Sequence, residues 1–175
     1  MKKKLIIING TMGVGKTTTC TLLNKSLEKS VWLDGDWCWM INPFIVNDEN
    51  KTMVEDNIKH LLRNFLKNST IDYVIFNWVL HTEDMFKMAL EWVDDIEFDL
   101  VKITLTCSEE ELIRRLSKDI EGNLRQDCII SKSIERLRMY NELNTIKVDT
   151  SEFGIKETVN QIMKIVNGSA GGTNF

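Results

Sequence analysis

Gly10-Thr11-Met12-Gly13-Val14-Gly15-Lys16-Thr17 is the stretch from which the rest of this chain is read. It fits G-x-x-x-x-G-K-[ST], a loop whose backbone amides cradle phosphate groups. Its surroundings suit that reading. Lys4-Leu5-Ile6-Ile7-Ile8-Asn9 is a short apolar run rich in β-branched residues, the pattern of a buried parallel strand. Residues 15 to 28 then carry Leu22, Leu23 and Leu27, which suit one face of a helix. Strand, glycine-rich loop and helix together aim loop amides and a helix N-terminus at bound anions. Gly10, Thr11, Met12, Gly13, Val14, Gly15, Lys16, Thr17 and Thr18 are therefore the expected nucleotide-binding residues. Lys16 is expected on the β- and γ-phosphates and the Thr17 hydroxyl on Mg2+. The expected ligands are ATP and Mg2+.

The remaining chain alternates in the same way. Strand-like runs are Val31 to Leu33, Tyr73 to Val79, Leu100 to Thr106 and Thr145 to Val148. Helical stripes lie between and after them: Ile58, Leu61, Leu62, Phe65 and Leu66; Leu112, Ile113 and Leu116; Ile155, Val159, Ile162, Met163 and Val166. Ser108-Glu109-Glu110-Glu111 reads as a capping box. Alternation predicts an α/β, three-layer fold with a five-stranded parallel sheet and helices on both faces. Residues 1–167 form one expected domain; the glycine-rich end, 168–175, reads as a frayed tail or an expression remnant. The 175 residues suffice for a real core.

Composition narrows the classes. A net charge of −4 argues against a general nucleic-acid binder. No apolar run reaches the ~20 residues needed to span a bilayer, and the basic start leads straight into the loop, so a cytoplasmic location is expected. Cys20, Cys38, Cys107 and Cys128 form no C-x-x-C pair and are expected as free thiols.

Ligands sit at the carboxyl ends of strands in such sheets. Leu33-Asp34-Gly35-Asp36-Trp37 lies at one. One carboxylate can orient Mg2+ or its water; the other can take a proton from an attacking hydroxyl. The alternative is a solvated Asp-Gly turn. Later, Arg114, Arg115, Lys118, Arg125, Arg136 and Arg138 supply positive charge that can stabilise a transferring phosphoryl group. Arg115 and Arg125 are the candidates for phosphate contact, while Arg114 and Arg138 suit exposed, paired positions.

The phosphate loop, the D-x-D after the second strand and an arginine segment after the fourth together resemble the small P-loop kinases. That group includes shikimate kinases, gluconate kinases, chloramphenicol phosphotransferases and related nucleotide kinases, and the resemblance spans residues 1 to about 166. It implies that Asp34 assists Mg2+ and that Asp36 holds or deprotonates the acceptor hydroxyl. It implies a short mobile lid, about 117–130, with Gly122 as hinge and Arg125 within it. It implies that Arg136, in an R-x-x-x-Y stretch ending at Tyr140, binds a substrate acid group, and that the turn after Val148 borders the adenine.

The chain also departs from these relatives. The third strand, Tyr73 to Val79, ends without an acid and Asn77 within it carries no charge, so Mg2+ support shifts to Asp34. The glycine cluster and helix-two arginine of shikimate kinases are absent, as is the histidine of gluconate kinases. Aromatic residues stand there instead: Trp37, Trp39 and Phe44 after the acids, Trp78 and His81 after the third strand. Trp37, Asn77 and His81 join Asp36 and Arg136 as candidate substrate residues.

The expected activity is ATP-dependent transfer of phosphate to a hydroxyl of a small molecule, by a monomer or homodimer. One alternative is a nucleoside or nucleotide kinase. Its acceptor phosphate needs arginines, and residues 37–60 carry only Lys51 and Lys59. The other is a non-catalytic ATP-binding regulator.

Overall fold

The computed structural model describes residues 2–122 and 129–168. Five parallel strands, β1 (Lys4–Asn9), β2 (Ser30–Asp34), β3 (Tyr73–Asn77), β4 (Asp99–Thr106) and β5 (Ile146–Asp149), form one sheet in the order β2-β3-β1-β4-β5. The helices are α1 (Lys16–Ser26), α2 (Asp48–Lys67), α3 (Glu83–Glu91), α4 (Glu109–Glu121), α5 (Ile129–Glu142) and α6 (Ile155–Gly168). A short 3-10 helix, Gly35–Trp39, follows β2.

β1 sits at the centre because both its faces are apolar. Leu5 and Ile7 join a core with Ile58 and Leu62 of α2, Phe76 of β3 and Phe86 of α3. Ile6 and Ile8 join the opposite core with Leu23 of α1, Leu112 and Leu116 of α4 and Ile162 of α6. Side chains alternate across a strand, so one unbroken apolar run fills two cores. Each of these β1 side chains is essentially inaccessible to solvent, and burial of each contributes about 1.5–3 kcal/mol.

The expected sheet is therefore present, and β1 has the bounds read from sequence. β3 is shorter than the apolar run suggested, ending at Asn77. Val79 and Trp78 have left the sheet. Two helices carry weak sequence stripes. α3 opens on Thr82, whose hydroxyl accepts from the Met85 amide. α5 holds the end of the arginine segment, with Arg136 and Arg138, while Arg114 and Arg115 lie on α4.

The β1 connection runs to β2 on one side of the sheet, and that of its neighbour β4 runs to β5 on the other. Where neighbouring strands lead in opposite directions, a crevice opens beyond their carboxyl ends. The register brings three functional candidates to that edge. Asp34 pairs with Asn77 across β2 and β3, and Ile8 of β1, one residue before Asn9 and the loop, pairs with Asn77 on its other side.

Candidate functional site

A cleft of about 540 Å³ lies over the loop between β1 and α1. The loop contributes Met12 to Thr18; Asp36, Asn77, Arg115, Thr150, Phe153 and Ile155 line it as well.

Helix α1 explains why the loop attracts anions. α2, α3 and α4 begin with side-chain caps from Asn47, Thr82 and Ser108, and each has acids in its first turn. α1 has neither: its cap residue is Gly15, without a side chain, in the left-handed region at φ 99°. Its first amides and the positive end of its dipole are left for a ligand. Gly13 is fixed by space as well as by φ +84°, since a Cβ there would lie 2.7 Å from Leu116. The Lys16 ammonium bends over the loop and donates to the carbonyls of Gly10 (2.9 Å) and Thr11 (3.1 Å).

The two aspartates hold different environments. Asp34 is buried, and its Oδ1 accepts from the Asp36 amide at 3.1 Å, capping the 3-10 helix. Its Oδ2 lies 3.4 Å from the Thr17 hydroxyl. Hydroxyl and carboxylate are thus side by side at the loop, and this pair suits a hard cation that also takes phosphate oxygens and water. Asp36 is exposed and lines the cleft. The short helix turns it out of the sheet while Asp34 stays beneath.

Asn77 is oriented by a contact that sequence did not reveal. Its Oδ1 accepts from Trp32 Nε1. Indole nitrogen only donates, so the amide end of Asn77 is left for other partners. Asn77 takes the β3 position where an acid is common in this class, and Asp34 is its neighbour across the strands.

Arg115 is a clamp. Its Nε donates to Glu111 (2.7 Å), its Nη1 to the Val14 carbonyl (3.3 Å) and the Thr150 hydroxyl (2.9 Å), and its Nη2 to the Thr150 carbonyl (2.6 Å). It therefore ties α4 to the phosphate loop and to the turn after β5 while lining the cleft. Hydrogen bonds from Arg114 and Arg115 hold the Glu111 carboxyl down at about 2. The Ser108 box is accordingly half formed: the Ser108 hydroxyl accepts from the Glu111 amide, but the Glu111 carboxylate turns to the two arginines.

The other candidates scatter. Arg125 lies outside the described residues, as do positions 123–128 of the expected lid and 169–175 of the expected tail. Gly122 ends α4 at φ −79° and ψ 7°, a conformation open to any residue, so the hinge reading finds no conformational reason there. His81 is half-buried, its Nδ1 set against the Val79 carbonyl at 3.1 Å and its ring edge-on to Tyr140; it does not line the cleft. Arg136 is half-buried on α5 and does not line the cleft either. Burial raises the Tyr140 phenol, and the charges of both Arg136 and Asp36 act on it. Trp37 stands outside the cleft lining, next to Asp36 and packed on Trp32 at 4.7 Å. Cys20, Cys38 and Cys107 are free thiols, and burial raises Cys20 far above its usual value.

Sequence reasoning missed Phe153 and Ile155, which bring apolar surface to the cleft, and Asp119 from α4. The only available signal was the adjacency of Phe153 to the turn after β5.

Fold and loop define a P-loop protein of the kinase type. The chain belongs to the AAA_18 family, described as an AAA domain, whose profile matches residues 6–138. A "putative kinase" from Chloroflexus aurantiacus superposes with a TM-score of 0.71 at 18% identity, covering 97% of this chain and 100% of that one. Shikimate kinase from Acinetobacter baumannii, solved with shikimate, gives 0.65 at 17% identity, over 97% and 96%. In sequence, cytidylate kinase of Buchnera aphidicola subsp. Baizongia pistaciae is 26% identical over 93 residues, 53% of this chain. The chain spans 40% of that relative's length. No helix among the described residues is long and apolar enough to cross a membrane.

Proposed function

We propose that the protein transfers the γ-phosphoryl group of ATP to a hydroxyl of a small molecule. The observation that carries this reading is Asp36: an exposed carboxylate on the same cleft as the phosphate loop, backed by a second, buried carboxylate. The loop amides, the uncapped α1 terminus and Lys16 would bind the phosphates. Thr17 and Asp34 would hold Mg2+, which supplies charge neutralisation on the phosphate oxygens. Asp36 would accept the hydroxyl proton as the new O–P bond forms and the bond from Pγ to the ADP oxygen breaks. ADP carries away the electron pair of the broken bond. Arg115 would keep the loop and the turn after β5 in register, so its contribution is to positioning.

A phosphate-bearing acceptor is the second reading, favoured by the likeness to cytidylate kinase. The absence of arginine from residues 37–60 weighs against it. The test is steady-state kinetics of Asp36→Asn. Removal of a general base is expected to lower kcat about 10²–10⁴-fold with ATP affinity retained. An unchanged kcat in Asp36→Asn contradicts the assigned role.

A further inference from the structure

The segment that follows Asp36, just outside the cleft lining, differs in chemistry from the phosphate loop. Twelve large apolar side chains are exposed among the described residues, and six of them fall between positions 37 and 53: Trp37, Met40, Phe44, Ile45, Val46 and Met53. Exposure reaches 49% for Trp37, 66% for Phe44 and 85% for Met40. Apolar surface gathered in this way marks a binding site more often than chance. The cluster begins one residue after Asp36. It is also mechanically joined to the reaction centre: Trp37 packs on Trp32, Trp32 donates to Asn77, and Asn77 lines the cleft. Trp39 and Phe44 pair further out at 5.8 Å.

Charge on this segment has one sign. Between Lys29 and Lys51 the chain has Asp34, Asp36, Asp48 and Glu49 and neither lysine nor arginine. Lys51 itself is engaged with Asp48 at 3.1 Å. Carboxylate and phosphate acceptors are held by arginine forks or lysine, and residues 30–50 offer none. The segment's aromatic faces suit a flat apolar body, and its carboxylates and indole suit an ammonium group.

We infer that the acceptor is an alcohol on a flat apolar body, neutral or amine-bearing, seated against Trp37 and Phe44 with its hydroxyl toward Asp36. This rests on the kinase reading and names its substrate class. Arg136 on α5 is the feature that would serve an acidic acceptor instead, so acids form the opposing arm of the test.

The experiment offers wild-type enzyme and Mg·ATP three acceptor sets: 3-phenylpropan-1-ol with 2-amino-3-phenylpropan-1-ol; gluconate with shikimate; and cytidine 5′-monophosphate. Transfer is followed by ADP release, and acceptor binding by calorimetry with a non-hydrolysable ATP analogue present. The aromatic alcohols are expected to bind and be phosphorylated. Trp37→Ala and Phe44→Ala should each raise their KM about tenfold, the change given by loss of about 1.4 kcal/mol, with a much smaller change in kcat. Trp37→Phe should restore most of the loss. Melting curves of the variants check that they fold. Failure of both aromatic alcohols to bind, or preference for the acids or the nucleotide, overturns the inference and leaves the kinase reading intact. Trp37-dependent binding with no transfer to any acceptor overturns the kinase reading, and the acceptor assignment falls with it. A dimer in sedimentation that Phe44→Asp disperses assigns the patch to a second copy of the chain, and also overturns it.

Discussion

Gly35 stands between the two carboxylates, and a methyl group there would lie 2.5 Å from the ring of Trp78. Trp78 is buried in the core beneath and has nowhere to withdraw. Gly35→Ala is therefore expected to cost about 2 kcal/mol of overpacking, or roughly 4–8 °C in Tm at this length, by thermal melting. It should also misdirect Asp36 and lower kcat. At this scale much of the site could be read from spacing. Asp34 and Asp36 are two residues apart at a strand end, and the structure keeps one in and one out. Asn77 and Arg115 could be named, but their partners could not. Trp32 meets Asn77 across two strands and Thr150 meets Arg115 over 35 residues, and such contacts leave no periodic trace. Lys16→Ala is expected to weaken Mg·ATP binding and transfer together, because its ammonium is the loop's own charge on the phosphates; titration of the variant with ATP measures this.

Among the elements, α1 and α4 divide the work. α1 withholds a cap, leaving its N-terminal amides to phosphate; α4 carries the Glu111–Arg115 pair that fastens the loop. That pair gives an acid dependence with a definite sign. Glu111 falls from a usual 4.5 to about 2 in the folded protein, so its stabilisation is complete above about pH 4.5. It is lost as pH falls from there toward 2. Glu111→Gln is expected to flatten that part of the acid unfolding curve, followed by circular dichroism. An unaltered curve would show the pair to be energetically silent. The strands were legible because apolar runs of β-branched residues are short and bounded. β3 was over-extended because Trp78 and Val79 are apolar yet serve the core beyond the sheet. α5 was read as charge because its arginines mask the sparse stripe of Leu137 and Tyr140.

For the whole molecule, ligand and fold are coupled. The cleft joins the loop after β1, the turn after β5 and the short helix after β2, so Mg·ATP bound there would bridge segments distant in sequence. Ligand at 100 times Kd stabilises the folded state by about 2.7 kcal/mol, an expected rise of roughly 5–10 °C in Tm. EDTA should remove most of it if Thr17 and Asp34 hold the metal. The fold class was open to sequence because one motif and one alternation agree. The strand order was not, since nothing in a strand's composition names its neighbours. Phosphorus NMR reads out phosphoryl transfer to a hydroxyl under the direction of Asp36. With Mg·ATP and the acceptor panel, the wild type is predicted to yield a phosphomonoester resonance in step with ADP. Asp36→Ala is predicted to bind ATP equally well and yield none. Inorganic phosphate alone from the wild type, or undiminished ester from Asp36→Ala, would contradict it.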